Sequence, residues 1–98
     1  MPTFATPFSG NSNKEKLSTI ELMRAIRFML AAEYEAIQMY MQVVESTDNP
    51  MAKKVIKSIA DEERVHAGEF LKLLTILDPS EAKYNNKGSK EVTDLIRS

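Results

Sequence analysis

The stretches "AAEYEAIQMY" (31–40) and "DEERVHAGEF" (61–70) read as helix, yet each sets glutamates among apolar residues at helical spacing. Lysine and arginine can reach out of a core along their alkyl stems, whereas a short glutamate cannot. Glu33 therefore stands where a leucine is expected, and Glu63 and His66 do the same thirty positions later.

Working outward from Glu33, apolar residues fall at Leu22, Ile26, Met29, Ala36, Tyr40 and Val43, the seam of a coiled-coil-like helix. Ser18 and Glu21 have the spacing of a capping box, with Leu17 and Leu22 at the staple positions around it. "STDNP" (46–50) closes this helix, and Pro50 suits the first position of a second one behind Asn49. The second seam runs Ala52, Ile56, Ile59, Glu63, His66, Phe70, Leu73 and Leu77. Asp78 ends it, because a residue before proline is pushed out of helical geometry. The polar stretch "SEAKYNNKGS" (80–89) reads as a loop leading to a short final helix from about Ser89, with Val92, Leu95 and Ile96 on one side. Residues 1–16, with Pro2, Pro7, Gly10 and "NSN", read as an extended or disordered arm. Phe4 and Phe8 could dock on a partner surface, although a floppy leader is the plainer reading. The expected fold is all-α: an antiparallel helical hairpin over 17–78, then a loop and a short C-terminal helix over 79–98. Dimerisation is expected to complete a four-helix bundle.

A chain of 98 residues makes one small domain, which often leans on a partner subunit or a metal. With no cysteine, disulfides and thiolate metal sites are excluded. A net charge of −1 with mixed signs gives no nucleic-acid or membrane footprint. No segment reaches the roughly 20 apolar residues of a spanning helix, and the N-terminal stretch lacks the pattern of a signal peptide. A cytoplasmic protein is the expectation.

If Asp48 marks the centre of the turn, Glu33 lies fifteen residues before it and Glu63 fifteen after it. Equal rise per residue then sets the two carboxylates at one height on facing helices, with His66 a turn further along. Burying an unpaired carboxylate is costly, so three such exceptions need a reason. A hydrogen-bond network fixing helix register is one reading. The other is a metal site, because a Glu on one helix and Glu-x-x-His on the next is half the ligand set of di-iron carboxylate bundles. His66 is the only histidine, so one chain cannot furnish both imidazoles. Two hairpins related by a two-fold axis would supply both halves. Their four carboxylates would match two divalent ions in charge. Oxygen-rich ligation with one imidazole per ion suits iron or manganese. The expected chemistry is oxidation of Fe(II) to Fe(III) by oxygen or peroxide, with Glu63 bridging and Glu33 and His66 terminal. A non-catalytic dimerisation module and a di-metal peroxidase or catalase are the alternatives.

The segments "AEYEAIQMY", "STD" and "DEERVHAGEFL" resemble the ferritin-like superfamily, and within it the encapsulated ferritins, over about residues 18–78. The resemblance implies a ferroxidase built at a homodimer interface, further association into a ring, and a role in iron storage as cargo of an encapsulin shell protein. Glu33, Glu63 and His66 match that family's metal ligands. Glu35 falls where the family has one of two carboxylates of an outer iron site, and Ala32 replaces the other. From the residues alone, Glu35 belongs to the solvated face. Tyr40 could donate a hydrogen bond to a ligand carboxylate, although a core tyrosine with its hydroxyl at the rim is plainer. Met23, Met29, Met39, Met41 and Met51 are better explained by core filling than by haem ligation across a dimer. Such cargo usually carries an apolar C-terminal tail or is fused to the shell, and "EVTDLIRS" (91–98) is no such tail. Either the sequence is truncated, or the docking signal lies elsewhere, or the shell association does not hold.

Overall fold

The computed structural model describes residue 12 and residues 14–98, so most of the arm over 1–16, including Phe4 and Phe8, lies outside the described residues. Those residues form α1 (Thr19–Ser46), α2 (Pro50–Leu77) and α3 (Pro79–Arg97), with no strand among them. None of the helices is long and apolar enough to cross a membrane.

Each start is set by local chemistry. Before α1, the Ser18 hydroxyl accepts from the Glu21 N–H at 3.1 Å, and Glu21 Oε1 accepts from the Ser18 N–H at 2.9 Å. This is the expected capping box, and it satisfies N–H groups that a helix start leaves without partners. The backbone N–H of Ser18, and then its hydroxyl, hold the Glu21 carboxyl below its ordinary value of 4.5. A depressed carboxyl stabilises the fold at pH values above its unfolded pKa, and the contribution is lost as pH falls through the folded one. Glu21→Gln is therefore expected to flatten the acid dependence of stability below about pH 4.5, read by circular dichroism in an acid titration. Before α2, Asn49 Oδ1 accepts from the Ala52 N–H at 3.0 Å and Pro50 takes the first helical turn.

At the second junction the structure departs from the sequence expectation. α3 begins at Pro79, not near Ser89, so "SEAKYNNKGS" is helix and not loop. Asp78 does two things: its N–H closes α2 on the Leu74 carbonyl at 2.9 Å, and its carboxylate accepts from the Ser80 N–H at 3.2 Å to open α3. Asp-Pro is thus a helix stop and also a helix start, the cap followed by proline in the first turn. Asn85, Asn86 and Gly88 weaken a helix by up to about 1 kcal/mol each without forbidding it. Arg27 on α1 reaches Glu81 at 3.4 Å and Asp78 at 3.6 Å, tying this elbow to the hairpin. Otherwise, among the described elements, α3 meets only α2, and it buries none of its residues.

The core is the α1–α2 contact. Only Ile26, Ala60, Ala67 and Leu74 are fully buried among the described residues. The two alanines let α2 approach α1 closely. The inward residues form rows seven apart, which run nearly parallel to a helix axis. On α1 these rows are Ile26–Glu33–Tyr40 and Met23–Leu30–Ile37–Val44, and on α2 Ile56–Glu63–Phe70–Leu77 and Ala60–Ala67–Leu74. Several residues expected in the seams are instead exposed, namely Leu22, Met29 and Val43 on α1 and Ile59, His66 and Leu73 on α2. The apolar arc of each helix is wider than one seam, and its inner half is what meets the other helix of the hairpin. Ala32 and Ala36 are half-buried, and Glu35 is exposed.

Candidate metal centre

Glu33 projects from the middle of α1, and Glu63 and His66 from the middle of α2. Each offers one ligand atom to a set lying within 4.8 Å of one another, and no other such group occurs among the described residues. The spacing explains the meeting. The short connection over Thr47–Asn49 starts the two helices of the hairpin level, so residues equally distant from it come level. His66 Nδ1 lies 3.5 Å from Glu63 Oε2, one turn away on the same helix.

The three are not equally sheltered. The side chain of Glu63 is 19% exposed and that of His66 is 49% exposed. His66 therefore sits on the flank of the hairpin, and the expectation that it faces inward is corrected. Residues three apart on a helix step round the axis by about −60°, enough to carry His66 from the interior row to its edge. Glu33 Oε2 is buried with no hydrogen-bond partner among the described residues. Buried carboxylate oxygens are nearly always paired, and an orphan of this kind calls for a donor or a cation. Glu33 supplies just such an acceptor beside a second carboxylate and an imidazole. Tyr40 is half-buried in the same inward row as Glu33, while Glu35 stands apart from the cluster on the solvated side of α1.

An open cavity of about 340 Å³ borders the cluster, lined by Glu33, His66, Glu69 and Phe70. Glu69 is not among the residues that the sequence marked out. The available signal was its place three residues beyond His66, which extends Glu-x-x-His to Glu-x-x-His-x-x-Glu.

Beside the cluster run two largely exposed and mostly apolar rows. Leu22, Met29, Ala36 and Val43 form a row along α1, and Ile59, His66 and Leu73 form one along α2. Both rows are rotated in the same sense from the inward rows. Because chain direction reverses between antiparallel helices, an equal rotation brings both to one side of the hairpin. His66 is the midpoint of its row.

Comparison with known proteins agrees with this architecture. The family model for rubrerythrin matches residues 22–95. The chain is 41% identical over 82 residues to the encapsulin nanocompartment cargo protein EncC of Myxococcus xanthus, covering 84% of this chain and 60% of that one. It is 36% identical over 84 residues to a ferritin-like–encapsulin shell fusion protein of Pyrococcus furiosus, covering 85% of this chain and 24% of that one. The chain thus spans less than two thirds of either relative. The crystal structure of the encapsulated ferritin domain from Pyrococcus furiosus superimposes with a TM-score of 0.84 at 31% identity, over 90% of each chain. The helical architecture is that of a ferritin-like protein. Within that class the chain belongs to the rubrerythrin family, among the encapsulated ferritins.

Proposed function

We propose that this protein is a ferroxidase, oxidising Fe(II) to Fe(III) at a di-iron site that two copies of the chain assemble between them. The single observation that carries this reading is the buried, unpartnered oxygen of Glu33 beside Glu63 and His66. A polar cluster whose work was to fix helix register would have its acceptors satisfied. An acceptor held ready for a cation would not.

One chain supplies two carboxylates and one imidazole, too few for a pair of ions. The exposed apolar rows on either side of the cluster supply the means of completing it, since a second copy seated there would cover them and bring its own triad alongside. Two triads carry four carboxylates, which balance two divalent ions, so closure leaves no net charge in a dry site. Glu33, Glu63 and His66 would hold the ions, with Glu63 shared between them and Glu33 and His66 terminal on the same one. When bound, the two Fe(II) give up one electron each, which with two protons reduce dioxygen to hydrogen peroxide, or peroxide to two waters. Hard carboxylates favour the ferric product, and manganese fits the same donors. The likeness to an encapsulin nanocompartment cargo protein and to a ferritin-like–encapsulin shell fusion protein extends the proposal to iron storage or detoxification as encapsulin cargo, inside a cytoplasmic nanocompartment.

Stopped-flow mixing of the anaerobically loaded protein with oxygen, and separately with peroxide, tests the activity. A Fe(III) burst of about one equivalent per chain, faster than in buffer, is expected. No acceleration over buffer would rule the ferroxidase reading out.

A further inference from the structure

Glu63, His66 and Glu69 stand three residues apart on α2. Each step advances about 4.5 Å along the helix and turns about 60° away from the hairpin interior. They therefore form a ramp. The Glu63 side chain is mostly covered, His66 is about half exposed, and Glu69 is exposed at the surface. Glu33, His66 and Glu69 line the same cavity, with Phe70 as its apolar wall. Glu69 enters no hydrogen bond or ion pair among the described residues. At the inner end waits the unpartnered Glu33 oxygen.

We propose that Glu69 is the uptake carboxylate of this cavity, catching hydrated Fe(II) at its mouth and passing it inward to His66 and Glu33. The proposal rests on the reading of Glu33, Glu63 and His66 as an iron site. A hard, charged oxygen suits a hydrated divalent ion, and a single carboxylate holds it too weakly to retain it. The inner group offers more ligands in less water, so transfer runs toward tighter binding. The apolar wall of Phe70 keeps the local dielectric low and concentrates the field of the Glu69 charge on the cavity. Glu35 does not line this cavity. Glu62 faces a separate depression bounded by Lys54, Lys57 and Asp61, which makes it a control of equal charge. Glu69 is thus a positioning residue for the incoming ion and no part of the reacting set.

The test is anaerobic stopped-flow uptake of Fe(II) by the full chain, read by competition with a chromophoric chelator, alongside the Fe(II) bound at saturation. Glu69→Gln is expected to slow uptake about 3- to 10-fold, one charge's share of the focusing in a charged cleft, at unchanged saturation. Glu69→Asp should restore the rate, and Glu62→Gln should match the parent. The difference should shrink as salt is raised, since screening weakens a field at the surface first. Equal rates for Glu69→Gln and Glu62→Gln would overturn the proposal. So would a loss of bound Fe(II) in Glu69→Gln, which would make it a ligand. A parent protein without stoichiometric Fe(II) would remove the iron site itself.

Discussion

His66→Ala is expected to abolish stoichiometric Fe(II) binding and to lower the rate of Fe(II) oxidation by at least about 100-fold, while leaving the fold intact. Removing a group that merely orients a metal ligand typically costs 10- to 100-fold in affinity or activity, so loss of a ligand sets that as a floor. No second histidine can substitute, because His66 is the sole imidazole of the chain. The stability side follows from exposure. Half of the His66 side chain meets solvent, and alanine is the better helix former by about 0.5 kcal/mol. Unchanged melting with lost iron is thus the expected pair of results, measured by thermal circular dichroism and anaerobic Fe(II) titration. A variant that melts earlier but binds iron as before would instead make His66 a register-fixing residue.

The second large effect concerns a residue that touches no metal. Ile59→Glu is expected to convert the proposed pair of chains to a helical monomer and to remove tight Fe(II) binding, although the triad is untouched. Ile59 is exposed in the single chain, one row position before His66 on the apolar flank. In the free hairpin a glutamate there meets water and costs little. In the proposed interface its charge would be buried without a partner, at about 3–5 kcal/mol. That corresponds to more than about 100-fold in the dissociation constant of the pair. Sedimentation velocity gives the mass and titration gives the iron. Normal iron binding by a monomeric Ile59→Glu variant would break the link between assembly and site.

Much of this protein is legible in its residues. Ser18 with Glu21, and Asn49 with Pro50, announce two helix starts, and both caps form as their spacing implies. The triad is readable because a reversal near Asp48 brings Glu33 and Glu63 level by counting alone. Three features were hidden for distinct physical reasons. Asp78-Pro79 carries a stop and a start in one dipeptide, and the weak helix formers that follow mask the start. The division of each apolar arc into an inner and an outer half is set by the close approach that Ala60 and Ala67 permit. Periodicity cannot separate halves of one arc, so Ile59, His66 and Leu73 read as interior when they lie on the flank. Glu69 escaped notice because a lone glutamate on a helix surface is ordinary until a cavity appears beside it.

Native mass spectrometry of the protein loaded anaerobically with Fe(II) addresses the shared site most directly. Iron is expected only on species with an even number of chains, at about two ions per pair, and single chains released by mild activation should carry none. A single chain that keeps its own ion, or paired chains free of iron at saturating Fe(II), would contradict a site made of two halves.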